Sequence, residues 1–369
     1  MANKRIGVYG GSFDPVHNGH VELVKAVLTM GLVDEVIVTV SPWNPFKKND
    51  GVEPVPYEDR FKMTSAAFKG VDNVYVSKVE STLGETSKTY NTLKKLDEMY
   101  CGIKGVDYAE NVELVAIVGG DTWAQIDKFY EFEKLVKEYE FIVMQRGSSA
   151  IVNALSVQTK KVTFISWTSP KISSTDIRSR VGQGLSIHEY VCEDVYHTIL
   201  QKRFYRRPIM EIVNGLFELL EAAGFTISTA ESCTGGLISA TMTEVPGSSI
   251  FCRGGVVSYS THIKETVLGV DPKIIREHTV VSMEVASAMA VGVSKLMESE
   301  CAISVTGYAG PNDEESGKIY VCAFLNGFST CVVNLNTKIN DRQLNREIAV
   351  IRGLSLMHDV LTKYLKSTK

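Results

Sequence analysis

Short apolar runs recur through the first half of the chain: Ile6 to Tyr9, Val36 to Val40, Val74 to Val79, Leu114 to Val118, Phe141 to Met144 and Val162 to Trp167. Between them apolar positions fall at helical spacing, as in His20, Leu23, Val24, Val27 and Leu28. Strands that read as near-continuous apolar runs are buried on both faces, and their alternation with helices predicts a parallel, doubly wound, Rossmann-like α/β sheet. In such sheets ligands sit at the carboxyl ends of strands. The glycine-rich and polar segments stand there: GGSFDP after the first run, SPWNPFKK after the second, GGD after the fourth, QRGSS after the fifth and TSPKISSTDIR after the sixth.

The pattern breaks at the basic, aromatic stretch QKRFYRRP (201 to 208), where Pro208 is placed to begin a new helix. Two domains are therefore expected, 1–204 and 205–369. The second has its own α/β pattern. A helix is predicted through Met210 to Ala223, a strand at Phe225 to Thr229, a helix after Cys233, and a strand at Val256 to Tyr259. A helix near 282–298, a strand at Ala302 to Thr306, two strands near 319–335 and a closing helix near 340–365 follow. No internal repeat relates the halves, so this is a second, distinct α/β domain.

Composition agrees with two folded domains: 369 residues exceed what one core usually serves, and 44% hydrophobic with 22% charged residues is ordinary for a globular protein. The balance of 39 Lys+Arg against 43 Asp+Glu gives a net charge of −4, which favours neither nucleic acid nor an anionic membrane as partner. With no run of about 18 apolar residues and no leader pattern at the start, a cytoplasmic protein is expected. Seven cysteines, at 101, 192, 233, 252, 301, 322 and 331, are scattered and never spaced as a C-x2-C pair, so neither a disulfide framework nor a zinc knuckle is implied.

The string GGSFDPVHNGH (10 to 20) places His17 and His20 on one face at a predicted helix N-terminus, where backbone N–H groups and the helix dipole favour anions. Gly10 and Gly11 let the chain approach a ligand closely. Imidazoles there can donate to phosphate oxygens. Two capping or surface histidines on an ordinary helix fit the pair equally well, whereas zinc would want three or four ligands; no metal ligand is expected from the protein.

The whole string resembles the signature of the nucleotidyltransferase superfamily with the histidine-x-glycine-histidine motif, and His17 makes it similar to nicotinate-mononucleotide adenylyltransferases. The resemblance runs over nearly all of residues 1–200. It implies a nucleotide site at Gly10, Gly11, Ser12 and Phe13, with His17 and His20 catalytic. ISSTDIRSR (172 to 180) resembles the second signature, in which Ser173, Ser174 and Thr175 open a helix and Arg178, one turn on, meets the triphosphate. By the residues alone a capped surface helix with a solvated arginine is the simpler reading. The resemblance further assigns Lys47 to the triphosphate, Asp121 of VGGD to the nucleotide or ribose, and Thr89 of SKTYNTL to the pyridine ring. Phe129 and Tyr130 stand where the family presents a stacking tryptophan. The implied reaction is transfer of AMP from ATP, taken with Mg²⁺ as its cofactor, to a pyridine mononucleotide.

In the second domain STAESCTGG (228 to 236) puts Ser232, Cys233 and Thr234 between a strand and a glycine-opened helix, a place where backbone N–H groups can serve an oxyanion. Ser232 and Cys233 are both plausible nucleophiles, and an N-cap serine before a buried cysteine fits the string as well. AESCTGG, PGSS, VVSYSTHIKETVLGV, SVTGYAGP and NDRQLNREIA follow the order of the nicotinamide-nucleotide amidase family, the C-terminal domain of competence-damage-inducible proteins. That resemblance covers about residues 208–366. It implies hydrolysis of nicotinamide mononucleotide by Ser232, activated by Tyr259 and Lys264, with no cofactor. Thr234, Gly235, Thr306, Gly307, Gly310, Arg342 and Arg346 would bind the substrate and its phosphate. After AGP this chain has the short acidic NDEESGK where the family has a longer segment.

Together the two resemblances imply a bifunctional enzyme of NAD synthesis or salvage whose amidase supplies the acid mononucleotide to the transferase. Two rivals stay open. One is a second domain that only senses its ligand; the other is a transferase whose acceptor is the amide mononucleotide. ATP and pyridine mononucleotides are the expected partners, and the sequence leaves a homo-oligomer open.

Overall fold

The computed structural model describes residues 4–42, 55–84, 88–101, 112–146, 158–168, 172–311 and 314–368. They form two compact units, residues 1–177 with 188–199, and residues 178–187 with 200–369.

In the first, β1 (Lys4–Gly11), α1 (Asn18–Thr29), β2 (Glu35–Val40), α2 (Tyr57–Ala67), β3 (Val74–Ser77) and α3 (Thr89–Cys101) are followed by β4 (Val112–Gly119), the short α4 (Gly120–Trp123) and α5 (Phe132–Glu138). Strands β5 (Glu140–Arg146) and β6 (Lys161–Trp167), then α6 (Ser174–Gly182) and α7 (Glu193–Gln201), complete the run. The six strands are parallel in the order β3-β2-β1-β4-β5-β6. Central β1 and β4 carry four and five consecutive buried residues, as covering on both faces requires, whereas edge strand β6 has none fully buried. Ile6, Val8, Leu114, Ala116, Phe141 and Val143 pack on Leu93, Trp123 and Leu135 in one core. The strand order reverses between β1 and β4, which is the topological switch point where such sheets bind ligands.

In the second unit α8 (Ile209–Ala223) leads to β7 (Ile227–Glu231), α9 (Leu237–Thr243), β8 (Cys252–Val257), α10 (Thr261–Thr266), α11 (Pro272–His278) and α12 (Met283–Met297). Strands β9 (Cys301–Gly307), β10 (Lys318–Leu325) and β11 (Ser329–Asn336) and the closing helix α13 (Arg342–Ser367) follow. The sheet is mixed, in the order β11-β10-β9-β7-β8: β8, β7 and β9 are parallel, and β10 returns antiparallel to β9 and to β11. α12 and α13 pack on its strands. α8 stops at Gly224, whose φ of 69° is the left-handed cap; Phe225 N–H and Gly224 N–H return to Leu220 and Glu221 carbonyls.

Three predicted strands lose residues at one end. The run from Val74 stops at Ser77, and Val79 instead enters a short 3-10 turn (Val79–Thr82). β7 begins at Ile227 rather than Phe225, because Thr226 gives its N–H and hydroxyl to the Glu300 carboxylate. β8 lies at Cys252–Val257, earlier than the predicted Val256 to Tyr259. Its glycines read as a break, yet a Cβ at Gly255 would fall 2.2 Å from Thr229 Oγ1, so the strand passes too close for a side chain. Among the described residues no helix is long and apolar enough to cross a membrane.

Candidate active sites

Two adjoining cavities of about 470 and 530 Å³ open over the carboxyl ends of β1 and β4. Gly10, Gly11, Ser12 and Asp121 line both. Thr89, Phe129 and Tyr130 line the first, and Phe13, His20 and Ser174 the second. Lys47 lies outside the described residues.

His17 is the N-cap of α1 and only 3% exposed; its ring stacks on His20 with centroids 3.6 Å apart. The ring at the cavity wall is His20. The His17 backbone N–H donates to His20 Nδ1 at 3.1 Å. A neutral His20 therefore carries its proton on Nε2, as a hydrogen-bond donor that needs no net charge. Phe13, at a φ of 43°, sets its ring edge-on to His20 at 5.1 Å.

Gly19 was not singled out in the sequence, yet a Cβ there would stand 3.0 Å from His17 Cε1 and Nδ1. Glycine at this position is what lets the buried ring lie flat on the helix start. The string NGH carried that signal, since glycine inside a helix's first turn weakens it and wants a reason.

Ser173 caps α6 reciprocally: its hydroxyl accepts from Asp176 N–H at 3.1 Å, while the Asp176 carboxylate accepts from Ser173 N–H at 2.9 Å. Ser174 Oγ donates to Pro15 O at 2.9 Å, which ties this helix start to the histidine loop. Thr175 is exposed. Arg178 follows Ser174 by one turn on the same face of α6 and groups with the second compact unit. Buried Arg60 donates to the carbonyls of Ser12, Ser41, Pro42 and Val55, holding the glycine-rich loop beside the loop after β2.

The cavity also holds residues that the sequence reading passed over. Glu80 is buried and accepts from Thr39 Oγ1 at 2.7 Å. Lys88 stands at the start of α3 with Nζ 5.8 Å from the Tyr130 ring centroid. Its signal was visible, because Lys88 occupies the place of tyrosine in the SYT stretch that SKT resembles.

In the second unit, a cavity of about 300 Å³ lies over the carboxyl ends of β7, β8 and β9. Ser232, Cys233, Tyr259, Lys264, Thr306, Gly307, Gly310 and Arg342 line it. Each parallel strand delivers one part: Ser232 follows β7, Tyr259 follows β8, and the TGYAGP loop leaves β9. Lys264, on α10, is fully buried. Its Nζ donates to Ser232 Oγ at 3.1 Å and to Ser258 O at 2.6 Å. Burial without a carboxylate partner lowers its pKa from 10.5 to about 8.

Burial acts oppositely on Cys233. Its thiol is pushed up to about 12, so no useful thiolate forms near neutrality, and of the two adjacent candidates Ser232 is the one with a base. Tyr259 makes no hydrogen bond to Ser232 or Lys264; its hydroxyl accepts from Arg342 at 3.1 Å, and Arg342 also donates to Gly310 O at 2.9 Å. Thr234 is fully buried, and Arg346 donates twice to its carbonyl, at 3.2 and 2.7 Å. Arg346 and Gly235 thus shape the nucleophile loop from outside the cavity, where the sequence expected both to touch substrate.

Glu231, also missed, is a fully buried carboxylate that accepts from Ile238 N–H, Ser239 N–H and Ser239 Oγ at 3.0, 2.9 and 3.1 Å. It satisfies the open donors at the start of α9. The loop from Ser232 to Gly236 is thereby pinned at both ends, because Ser232 N–H donates to Val305 O at 2.9 Å.

Residues 8–180 match the Cytidylyltransferase-like family and residues 210–361 match the CinA C-terminal domain. The chain joins a nucleotidyltransferase-like domain to a CinA domain. A putative competence-damage inducible protein of Caldanaerobacter subterraneus subsp. tengcongensis is 36% identical over 190 residues, 47% of this chain and 44% of that protein. One of Halothermothrix orenii is 43% identical over 134 residues, 35% of this chain and 32% of that protein. The chain thus spans less than half the length of these curated relatives. Among solved structures, the competence damage-inducible protein A of Klebsiella pneumoniae subsp. pneumoniae is 28% identical, covering 43% of this chain and 99% of that one, with a TM-score of 0.41. The Plasmodium falciparum nicotinic acid mononucleotide adenylyltransferase complexed with NaAD is 22% identical, covering 55% of this chain and 98% of that one, with a TM-score of 0.45.

Proposed function

We propose that the nucleotidyltransferase-like domain moves AMP from ATP to nicotinate mononucleotide, and that the CinA domain makes that acceptor by hydrolysing nicotinamide mononucleotide. One observation supports each half: the His20 donor at a strand-end cleft for the first, and the buried Ser232–Lys264 contact for the second.

In the first reaction an oxygen of the mononucleotide phosphate bonds to the α-phosphorus of ATP while the bond to the β-phosphate breaks and pyrophosphate leaves. The protein positions reactants and stabilises charge on phosphate oxygens. Gly10, Gly11 and Ser12 allow close backbone approach at the mouth of β1, and His20, with Nε2 as its donor nitrogen, lines the same space. His17 contributes by stacking and by its N–H, which fixes the His20 tautomer. Among the described residues no three His, Cys, Asp or Glu gather to hold a metal ion. Mg²⁺ would enter with ATP, on its phosphate oxygens, as part of the substrate.

In the second reaction neutral Lys264 takes the Ser232 hydroxyl proton as Oγ attacks the carboxamide carbon. The resulting ammonium returns that proton to the departing nitrogen, ammonia leaves, and the acyl ester on Ser232 is hydrolysed by water activated in the same way. With a pKa of about 8, roughly a tenth of Lys264 is neutral at pH 7. An ordinary lysine at about 10.4 would offer less than about a thousandth.

Incubating the full chain with ATP, Mg²⁺ and nicotinamide mononucleotide tests both halves. Nicotinate adenine dinucleotide is the expected product. Nicotinamide adenine dinucleotide alone would refute the hydrolysis, and ammonia release without any dinucleotide would refute the transfer. Ser232→Ala should abolish ammonia release while leaving transfer to supplied nicotinate mononucleotide intact.

A further inference from the structure

We infer that Lys88 reads the ring carboxylate of the acceptor and makes the first site prefer the acid mononucleotide over the amide. This rests on the adenylyl-transfer reading of that domain. Lys88 lines the 470 Å³ cavity together with Thr89, Phe129 and Tyr130, a threonine hydroxyl and two aromatic rings suited to a flat heterocycle. Its Nζ lies 5.8 Å from the Tyr130 ring centroid. A ring stacked on Tyr130 would carry its substituent within reach of that ammonium.

Several lysines of the same unit are taken up by carboxylates. Lys4, Lys78, Lys94 and Lys134 each hold a glutamate, at 2.6 to 2.8 Å. Lys88 pairs with no carboxylate among the described residues, although it is half-buried at a cavity wall. The N-terminus of the 13-residue helix α3 begins at the next residue and adds positive potential at the same place. The cavity's own buried carboxylate, Glu80, lies elsewhere: it is bonded to Thr39, and its Oε1 is 3.5 Å from the Cβ position of Gly10 at the strand ends. Glu80 thus stands beside the glycines and Lys88 beside the aromatic rings, with Asp121 and Lys128 also on the lining.

A carboxylate hydrogen-bonded to an ammonium at a half-buried site gains about 10- to 100-fold over an uncharged partner. A carboxamide offers the ammonium one neutral carbonyl oxygen and no charge, so it gains less. The experiment compares nicotinate and nicotinamide mononucleotides as acceptors, with Mg·ATP, in the wild type and in Lys88→Met and Lys88→Glu variants of the full chain.

Wild type should favour the acid. Lys88→Met should lower kcat/KM for the acid about 10- to 100-fold, mostly through KM, and change it for the amide by less than about threefold. Lys88→Glu should reverse the preference. Equal losses on both acceptors would mark a merely structural lysine and overturn the inference, as would a wild type that favours the amide. A wild type that adenylates neither mononucleotide would overturn the transfer reading itself, and the inference with it.

Discussion

Replacing Lys264 with methionine isolates the group on which the proposed hydrolysis depends, because methionine keeps the unbranched length and removes the amine. In the wild type, the folded chain releases the Lys264 proton at about pH 8, whereas an unfolded lysine holds it to about 10.5. Keeping that buried ammonium charged at pH 7 costs about 3 kcal/mol relative to the unfolded state. Between about pH 8 and 10.5 the unfolded chain binds more protons at this residue, so wild-type stability rises with pH there. Below 8 both states are protonated and the penalty is present in full.

Lys264→Met removes the penalty but leaves the Ser258 carbonyl without its donor, at a cost of about 1–3 kcal/mol. The net change at pH 7 is therefore small, and the informative quantity is its pH dependence. The variant's advantage over wild type should shrink by about 2.5 kcal/mol between pH 7 and pH 10. Urea unfolding followed by circular dichroism measures this. The transition of the second domain is identified by its silence in tryptophan fluorescence, since the three tryptophans, at 43, 123 and 167, all precede it.

The kinetic counterpart is kcat/KM for ammonia release. It should rise about tenfold per pH unit below pH 8 and level off above, and the variant should lose about 10²- to 10⁴-fold. A stability gap unchanged between pH 7 and pH 10, or a flat rate profile through pH 8, would refute a lysine poised by burial.

Gly19→Ala would set a Cβ 3.0 Å from the His17 ring and disturb the stacked pair; pyrophosphate release in the presence of nicotinate mononucleotide should fall well below wild type while the far-ultraviolet spectrum is kept. Glu231→Ala would leave the Ile238 and Ser239 N–H groups unbonded, so the second domain should lose about 1.5–3 kcal/mol in urea and ammonia release should fall further than the unfolded fraction explains. Cys233→Ala should keep ammonia release within a few-fold of wild type, because a thiol held near 12 is no nucleophile at pH 7.5; loss of turnover with Ser232 intact would return Cys233 to the role.

The parts of the fold legible in the sequence are those where both faces of an element are buried. β1, β2, β4 and β5 read as apolar runs because both their faces are covered, with buried Thr39 and Gln145 the polar exceptions where the cavities open, and α12 and α13 read by their helical stripes. β8 was displaced because an edge strand built of CRGGVV is exposed along most of its length and offers no apolar pattern. The site was legible at the same depth. Strand-end loops announced Gly10, His20, Ser232 and Gly310 through their glycines. The groups that brace these loops did not announce themselves: Glu231 is an ordinary carboxylate until Ser239 N–H, eight residues on, reaches it, and Arg346 is one arginine of a surface-spaced pair until it closes on Thr234 O, 112 residues away.

The same strand-end geometry is put to opposite electrostatic use in the two domains, which explains why one could be read more directly than the other. A phosphate site works with donors that stay hydrated and need only correct placement, so a glycine loop and a histidine on a helix start state the chemistry locally. A lysine base works only when water and carboxylates are kept away from it. Nothing in HIKET distinguishes Lys264 from a solvated helix lysine. What makes it a base is enclosure by Ser258 and Ser232 from two neighbouring strand ends, together with the lack of any carboxylate among the causes that act on its pKa. A single carboxylate introduced at that wall would undo it. Thr306→Asp, placed on the cavity lining, should favour the ammonium and move the rate inflection upward from pH 8, and an inflection left at 8 would locate the base elsewhere.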